Sequence, residues 1–290
     1  MSSPNPPFKH IALIWNSGLP EAATESGEIA AFLEKANLSV AQGRVNDSAL
    51  RDRIEQHEFN LVIALGGDGT MLRAGHLCGP VQVPILGVNM GRLGFLMETE
   101  RKDWRKRLTQ LLAGEYWLEK RMMLRAELWH AEQLAGAWNV LNEVFVGRGE
   151  QVRPVHLSTY LDDTFLTTYV ADGLIAATPT GSTAYALAAG GPILPPELRN
   201  ILIVPVAPHL SIDRAIVLAE GSSVSITVGT PHQAAISIDG QPPLAIADGD
   251  CVRVSASGDT VCFVRFQDPG YFYRNLTSHM NQNPSTGISR

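Results

Sequence analysis

The apolar run Leu61-Val62-Ile63-Ala64-Leu65, followed at once by Gly66-Gly67-Asp68-Gly69-Thr70, constrains this chain more than any other feature. Five consecutive apolar residues read as a strand buried on both faces, the pattern of a parallel sheet covered by helices. Three glycines then let the backbone turn sharply and come close to a ligand. Met71-Leu72-Arg73-Ala74 opens a helix, whose free N–H groups favour anions. The expectation is a phosphate cradle. Asp68 is its odd member, because a carboxylate repels phosphate. It needs a positive task, either taking a proton from an attacking hydroxyl or holding a divalent metal, and both tasks belong to phosphoryl transfer. Gly-Asp-Gly is also a common tight turn; the position behind a buried strand is what favours the functional reading.

The rest of the first hundred residues alternates strand and helix patterns. Lys9–Trp15, Leu38–Val45, Leu61–Leu65 and Val83–Val88 read as strands, Pro20–Lys35 and Ser48–Gln56 as helices. Ile29, Phe32 and Leu33 fall on one side of the first helix, and Asp47 or Ser48 caps the second. Such alternation predicts an open, mostly parallel sheet whose ligands bind beyond the carboxyl ends of its strands.

After a basic helical stretch, Arg101–Leu112, the texture changes to short strand-like runs: Trp138–Val146, Val155–Leu161, Phe165–Val170, Leu174–Ala177, Ile201–Ala207, Ala215–Ala219, Ser223–Val228, Ala234–Ile238, Cys251–Ala256 and Val261–Phe266. Asp162-Asp163, Asp239-Gly240 and Ser257-Gly258-Asp259 supply turn signals between them. Many short strands with little helix predict a β-sandwich. The predicted fold class is α/β plus all-β. An N-terminal Rossmann-like open α/β domain (1–100) precedes a C-terminal β-sandwich domain (101–267), and 268–290 forms a final segment. The first seven residues read as a loose leader without the regions of a signal peptide, and the chain beyond Gln282 as a polar tail.

Three further motifs carry chemistry. Asn89-Met90-Gly91-Arg92-Leu93-Gly94-Phe95-Leu96 is a second glycine-punctuated loop leaving a strand. Asn142-Glu143 sets an amide and a carboxylate side by side within an apolar run, which suits bonding to a ribose or a base, or equally a solvated strand face. Ala171-Asp172-Gly173 leads into Thr178-Pro179-Thr180-Gly181-Ser182-Thr183-Ala184-Tyr185, with Gly190-Gly191-Pro192 beyond. Four hydroxyls lie there within six residues. Ser182 or Thr183 can cap a helix over Ala184–Ala189, and a helix start lined with hydroxyls suits phosphate or ribose oxygens.

Other classes are disfavoured. There is no GxxxxGK[ST] and no GxGxxG, so neither a P-loop enzyme nor a hydride-carrying dinucleotide fold is indicated. A net charge of −6 gives no general pull toward nucleic acid or anionic membrane. No apolar stretch reaches the roughly 18 residues of a membrane span. Cys78, Cys251 and Cys262 lie far apart, which argues against zinc or redox motifs and fits a reducing, cytoplasmic setting.

GGDGT, NxGxLGFL, NE and DGLxxxTPTGSTAYxLxxGGP, in this order, resemble the NAD kinases from about Ile11 to Tyr273. GGDGT alone also resembles diacylglycerol and sphingosine kinases; the set is much more specific. The resemblance implies an active site between the two domains and a C-terminal segment that returns to the first. It implies transfer of the terminal phosphate of ATP, or of polyphosphate, to the 2′-hydroxyl of the NAD adenosine ribose, giving NADP. It further implies Mg2+ or another divalent ion, a homodimer or homotetramer, and neither a nucleic acid nor a membrane partner.

Carried over residue by residue, Asp68 matches the proton acceptor and Gly69 the backbone that approaches the ligand. Asn142 and Glu143 match the pair on the NAD ribose, and Asp172 another polar contact. Thr183, Ala184, Tyr185, Ala186, Leu187 and Ala188 match the segment along the adenosine. Gln241 matches a further polar contact. Arg73 and Arg153 fall where members carry a basic residue for phosphate. Where some members carry an arginine two residues before the DG aspartate, this chain has Val170, which bears on the choice between NAD and NADH. Two alternatives share the GGDGT loop: a lipid or other small-molecule kinase, and a dinucleotide sensor without turnover.

Overall fold

The computed structural model describes residues 8–91, 94–151, 153–209, 211–274 and 276. The expected leader (1–7), the polar tail beyond Gln282, and Arg92 and Leu93 of the second glycine loop lie outside them. The chain divides into two compact units, 1–120 with 261–290, and 121–260. The first reaches past the expected boundary near residue 100, and the chain re-enters it at Val261 rather than at 268.

In the first unit, β1 (His10–Trp15), α1 (Pro20–Lys35), β2 (Ser39–Arg44), α2 (Ser48–Glu55), β3 (Leu61–Gly66), α3 (Asp68–Cys78) and β4 (Ile85–Asn89) follow the predicted alternation closely. The strands are parallel in the order β2-β1-β3-β4. A short β5 (Thr99–Glu100) pairs with β4, and α4 (Trp104–Leu112) follows.

Pro20 at its first turn starts α1, and the Asp47 carboxylate caps α2 by accepting from Leu50 N–H at 3.1 Å. Ile11, Leu13, Leu61, Ile63 and Leu65 face one core with Ile29 and Leu33 of α1 and Trp104, Leu108 and Leu111 of α4. That packing explains why the first unit extends to Lys120: α4 is part of its core. Phe32 sets its ring edge-on to Trp104 at 5.6 Å. On the other face Met71 of α3 lies against Gly87, where a Cβ would come within 2.8 Å of its sulfur. β3 is therefore buried on both sides, as its sequence requires.

The second unit packs two antiparallel sheets on one apolar core. One carries β10-β9-β14-β17 (Thr164–Ala171, Val155–Leu161, Ser223–Val228, Cys251–Arg265), with β6 (Trp117–His130) on β17 and β7 (Gln133–Val140) on β6. The other is β13-β12-β11-β8-β15-β16 (Ile216–Leu218, Ile201–Val206, Gly173–Ala177, Glu143–Arg148, Ala234–Ile238, Leu244–Ile246). The β-sandwich expectation holds. Asp162 and Asp163, both at positive φ, turn β9 into β10, and Asp239 and Gly240 do the same after β15.

Three expectations are corrected. β6 has no counterpart in the sequence reading. The run 138–146 is two strands, β7 and β8, broken at Leu141-Asn142. Ser257-Gly258-Asp259 is not a turn but the middle of one 15-residue strand, β17. Its side chains bond to β7: Asn139 donates to Asp259 Oδ2 at 2.7 Å, and Ser257 Oγ donates to Asn139 Oδ1 at 3.2 Å.

Candidate active site

In the first unit the GGDGT loop joins the end of β3 to the start of α3. None of its glycines has a positive φ, so the expected sharp turn is made without left-handed backbone. Their small size serves other ends. A Cβ on Gly66 would meet Thr70 Oγ1 at 2.1 Å, so this glycine lets the first turn of α3 fold back on β3. Gly67 and Gly69 face open space, which leaves their backbone accessible to a ligand. Asp68 is the first residue of α3, where the helix dipole favours negative charge.

The second glycine loop holds that carboxylate. Phe95 N–H donates to Asp68 Oδ2 at 2.8 Å and Leu96 N–H to Oδ1 at 3.1 Å. Gly94 lies so close that a Cβ would come within 2.2 Å of Asp68 Oδ2. The start of this loop is shaped by the buried Asn89, whose side chain bonds both N–H and C=O of Gly91, while Met90 N–H donates to Gly66 O at 2.8 Å. Arg73 projects into solvent from α3. Among the described residues no group of three or more His, Cys, Asp or Glu could hold a metal.

In the second unit three separate motifs converge on the break between β7 and β8. The Asp239 carboxylate accepts from Leu141 N–H (2.8 Å), Asn142 N–H (2.7 Å) and Glu143 N–H (2.9 Å), and Asp239 N–H returns a bond to Glu143 O (2.9 Å). Thr178 clamps the same turn from the other side: its N–H donates to Asn142 O and its hydroxyl to Leu141 O. A Cβ on Gly181 would strike Asn142 O at 2.1 Å. Sequence reading took Asp239 only as a turn former; its place two residues before Gln241 was the available signal.

The Glu143 side chain is buried, and its Oε2 has no hydrogen-bond partner among the described residues. Burial first, and the charge of Asp239 second, push its carboxyl up to about 8, against the Tyr185 N–H that bonds it. Asp172 is half-buried and pairs with Arg148, Nε to Oδ1 at 3.3 Å. Arg148 thus supplies Asp172 with a cation although position 170 is valine. Gln241 and Arg153 are exposed, and Tyr185 leans its ring on Phe145 at 5.6 Å.

The hydroxyl-rich loop is mostly internal. Thr178 bonds Leu141 O, Ser182 bonds Pro179 O at 2.6 Å, Thr183 bonds Thr180 O at 3.1 Å, and Thr180 Oγ1 accepts from the buried Arg121 at 3.1 Å. No hydroxyl caps the following helix, α5, which spans only Tyr185–Ala188. The four hydroxyls build the turn first; the expected cap is absent because Gly181–Thr183 forms its own 3-10 turn before Ala184. The expected helix stop is present, with Gly190 at φ +87.

Comparison with known proteins matches residues 25–116 to the ATP-NAD kinase N-terminal domain and residues 141–266 to the ATP-NAD kinase C-terminal domain. The chain belongs to the NAD kinase family. It is 35% identical over 287 residues to an NAD kinase of Dehalococcoides mccartyi, covering 98% of this chain and 100% of that one. It is 39% identical to that of Symbiobacterium thermophilum, covering 93% and 98%. In fold it is similar to yeast NADH kinase complexed with NADH (TM-score 0.80, 24% identity, 98% of this chain and 91% of that one). It is likewise similar to an NAD kinase from Archaeoglobus fulgidus in complex with ATP (TM-score 0.73, 23% identity, 93% and 98%). The NAD kinase family is a family of phosphotransferases, and this chain is an enzyme of that family. No helix among the described residues is long and apolar enough to cross a membrane.

Proposed function

We propose that this enzyme moves the terminal phosphate of ATP to the 2′-hydroxyl of the adenosine ribose of NAD, with Asp68 as the base. The observation that carries the assignment is the grip on Asp68: each carboxylate oxygen accepts one backbone N–H from Phe95 or Leu96. These two bonds orient the carboxylate before substrate arrives. An aspartate is a weak base, so positioning supplies much of its effect. As the ribose oxygen forms its bond to the terminal phosphorus, its proton passes to Asp68. The bond from that phosphorus to the bridging oxygen breaks, and ADP leaves with the electron pair.

The open backbone at Gly67 and Gly69 and the start of α3 suit the donor phosphates. A divalent ion would enter this site as part of the metal–nucleotide complex, as Mg2+ commonly does with one or two carboxylates and substrate phosphates. Asp68 is then the carboxylate at hand. When bound, Mg2+ supplies neutralisation of phosphate charge. In the second unit, Asn142 and Glu143 on their clamped turn bind ribose hydroxyls. Asp172 and the segment from Thr183 to Ala188 follow the dinucleotide. Gln241, Arg73 and Arg153 add outer polar and phosphate contacts. The free cysteines and the family resemblance support residence in the cytoplasm and a homodimer or homotetramer.

A product assay on purified protein tests the reading. ATP or polyphosphate with Mg2+ is offered against NAD and against NADH, and NADP and NADPH are read separately. ATP with NAD should give NADP. Product from polyphosphate alone would overturn the donor, and NADPH as the dominant product would overturn the acceptor.

A further inference from the structure

The loop that grips Asp68 has little regular structure of its own, and what holds it comes from the far end of the chain. Arg265, the last residue of β17, donates from Nη1 to Leu96 O at 2.9 Å. Leu96 N–H is one of the two donors on Asp68, so Arg265 holds the carbonyl of the residue whose amide holds the carboxylate. The next two residues hold the same loop: Phe266 N–H and Gln267 N–H donate to Glu98 Oε1 at 3.1 and 2.8 Å.

Arg265 is 1% exposed. Its Nε bonds Glu119 Oε2 at 2.8 Å, and Tyr271 OH donates to the same oxygen at 3.3 Å. Burying this pair costs desolvation that an apolar pair would not, so the pair is a poor device for stability alone. What a guanidinium adds is a rigid fork that serves a carboxylate and a carbonyl together. Here the carboxylate is Glu119 and the carbonyl is that of Leu96.

We infer that Arg265, oriented by Glu119, is a positioning residue for phosphoryl transfer, fixing the Phe95–Leu96 amides and through them the direction of Asp68. The inference rests on the reading of Asp68 as base. A base displaced by about an ångström costs on the order of 100-fold, so the effect belongs on kcat and not on dinucleotide binding.

The test uses the full-length enzyme with Arg265→Lys, and the double variant Arg265→Met/Glu119→Leu, which removes both buried charges together. Each is made with Asp68 intact and with Asp68→Asn. Readouts are kcat, KM for NAD, thermal melting, and hydrogen exchange at the Phe95 and Leu96 amides. With Asp68 intact, a folded variant should lose about 10- to 100-fold in kcat with KM for NAD within about 3-fold. On the Asp68→Asn background the same change should cost less than about 3-fold, because two residues acting through one group are not additive. A folded variant with parental kcat overturns the inference, as does an undiminished loss on the Asp68→Asn background. Should the double variant not fold, Arg265→Lys carries the test. If Asp68→Asn itself turns over at the parental rate, the base reading fails separately. Exchange at Phe95 and Leu96 still decides the brace: faster exchange supports it, and unchanged protection overturns it.

Discussion

The carboxylate of Asp68 sits in the space that a side chain at Gly94 would fill, with a Cβ there only 2.2 Å from Asp68 Oδ2. The two residues are 26 positions apart, on loops leaving neighbouring parallel strands, and Gly66 and Asn89 pair in register at the strand ends. Gly94→Ala must therefore turn the carboxylate away or push the 94–96 loop outward. Either movement breaks the bonds from Phe95 and Leu96. We expect Gly94→Ala to fold and to lose about 100-fold in kcat, the scale of a misplaced catalytic group. Steady-state kinetics beside a melting curve check this. Parental kcat would show that the close packing does not aim the carboxylate.

Asp68→Asn keeps the shape of the side chain and removes its capacity to take a proton. It should lower kcat by roughly 100-fold or more, the usual contribution of general base catalysis, while NAD affinity changes much less. Single-turnover rates and equilibrium NAD binding separate the two effects. A near-parental rate would overturn the assignment of Asp68 as the base.

Most of the first unit was legible because each local signal agreed with the fold: a five-residue apolar run, a proline at a helix start, an aspartate cap. What escaped depended on partners distant in sequence. β6 was missed because Glu119 and Arg121 interrupt its apolar pattern, yet both are buried, Glu119 against Arg265 and Arg121 against Thr180. Ser257-Gly258-Asp259 read as a turn on local propensity, which the bonds to Asn139 override. The internal partners of the hydroxyls at 178–183 were not legible, because a sequence does not tell an internal partner from an external one. Asp239 was under-read for the same reason, since its three amide donors lie nearly 100 residues upstream.

The buried Glu143 makes stability depend on pH. Its carboxyl is raised from 4.5 to about 8, by burial and then by Asp239. Between these values the folded protein keeps a proton that the unfolded chain releases. The contribution of the neutral carboxyl is thus present in full below about 4.5 and is lost as pH rises through about 8. Glu143→Gln removes the titration while keeping the shape. Urea denaturation at pH 5 and pH 8.5 should show the parent losing more stability across this range than the variant. Parallel losses would mean that Glu143 ionises like an exposed carboxylate.

Asp239 ties the Asn142–Glu143 turn of the second unit to β15, and its removal tests the clamp. Asp239→Ala leaves three amides without their acceptor. Hydrogen bonds to a charged group contribute about 1.5–3 kcal/mol each, and bonds sharing one acceptor add less than their sum. A loss of about 3 kcal/mol or more in denaturant unfolding is expected. Because Asn142 and Glu143 ride on this turn, KM for NAD should rise about 10-fold or more in whatever fraction remains folded, with ATP KM changed far less. Asp239→Asn keeps one carbonyl oxygen and should fall between the parent and the alanine variant in both measurements. Equal rises in both Michaelis constants would mean that the turn supports the fold without orienting the dinucleotide contacts.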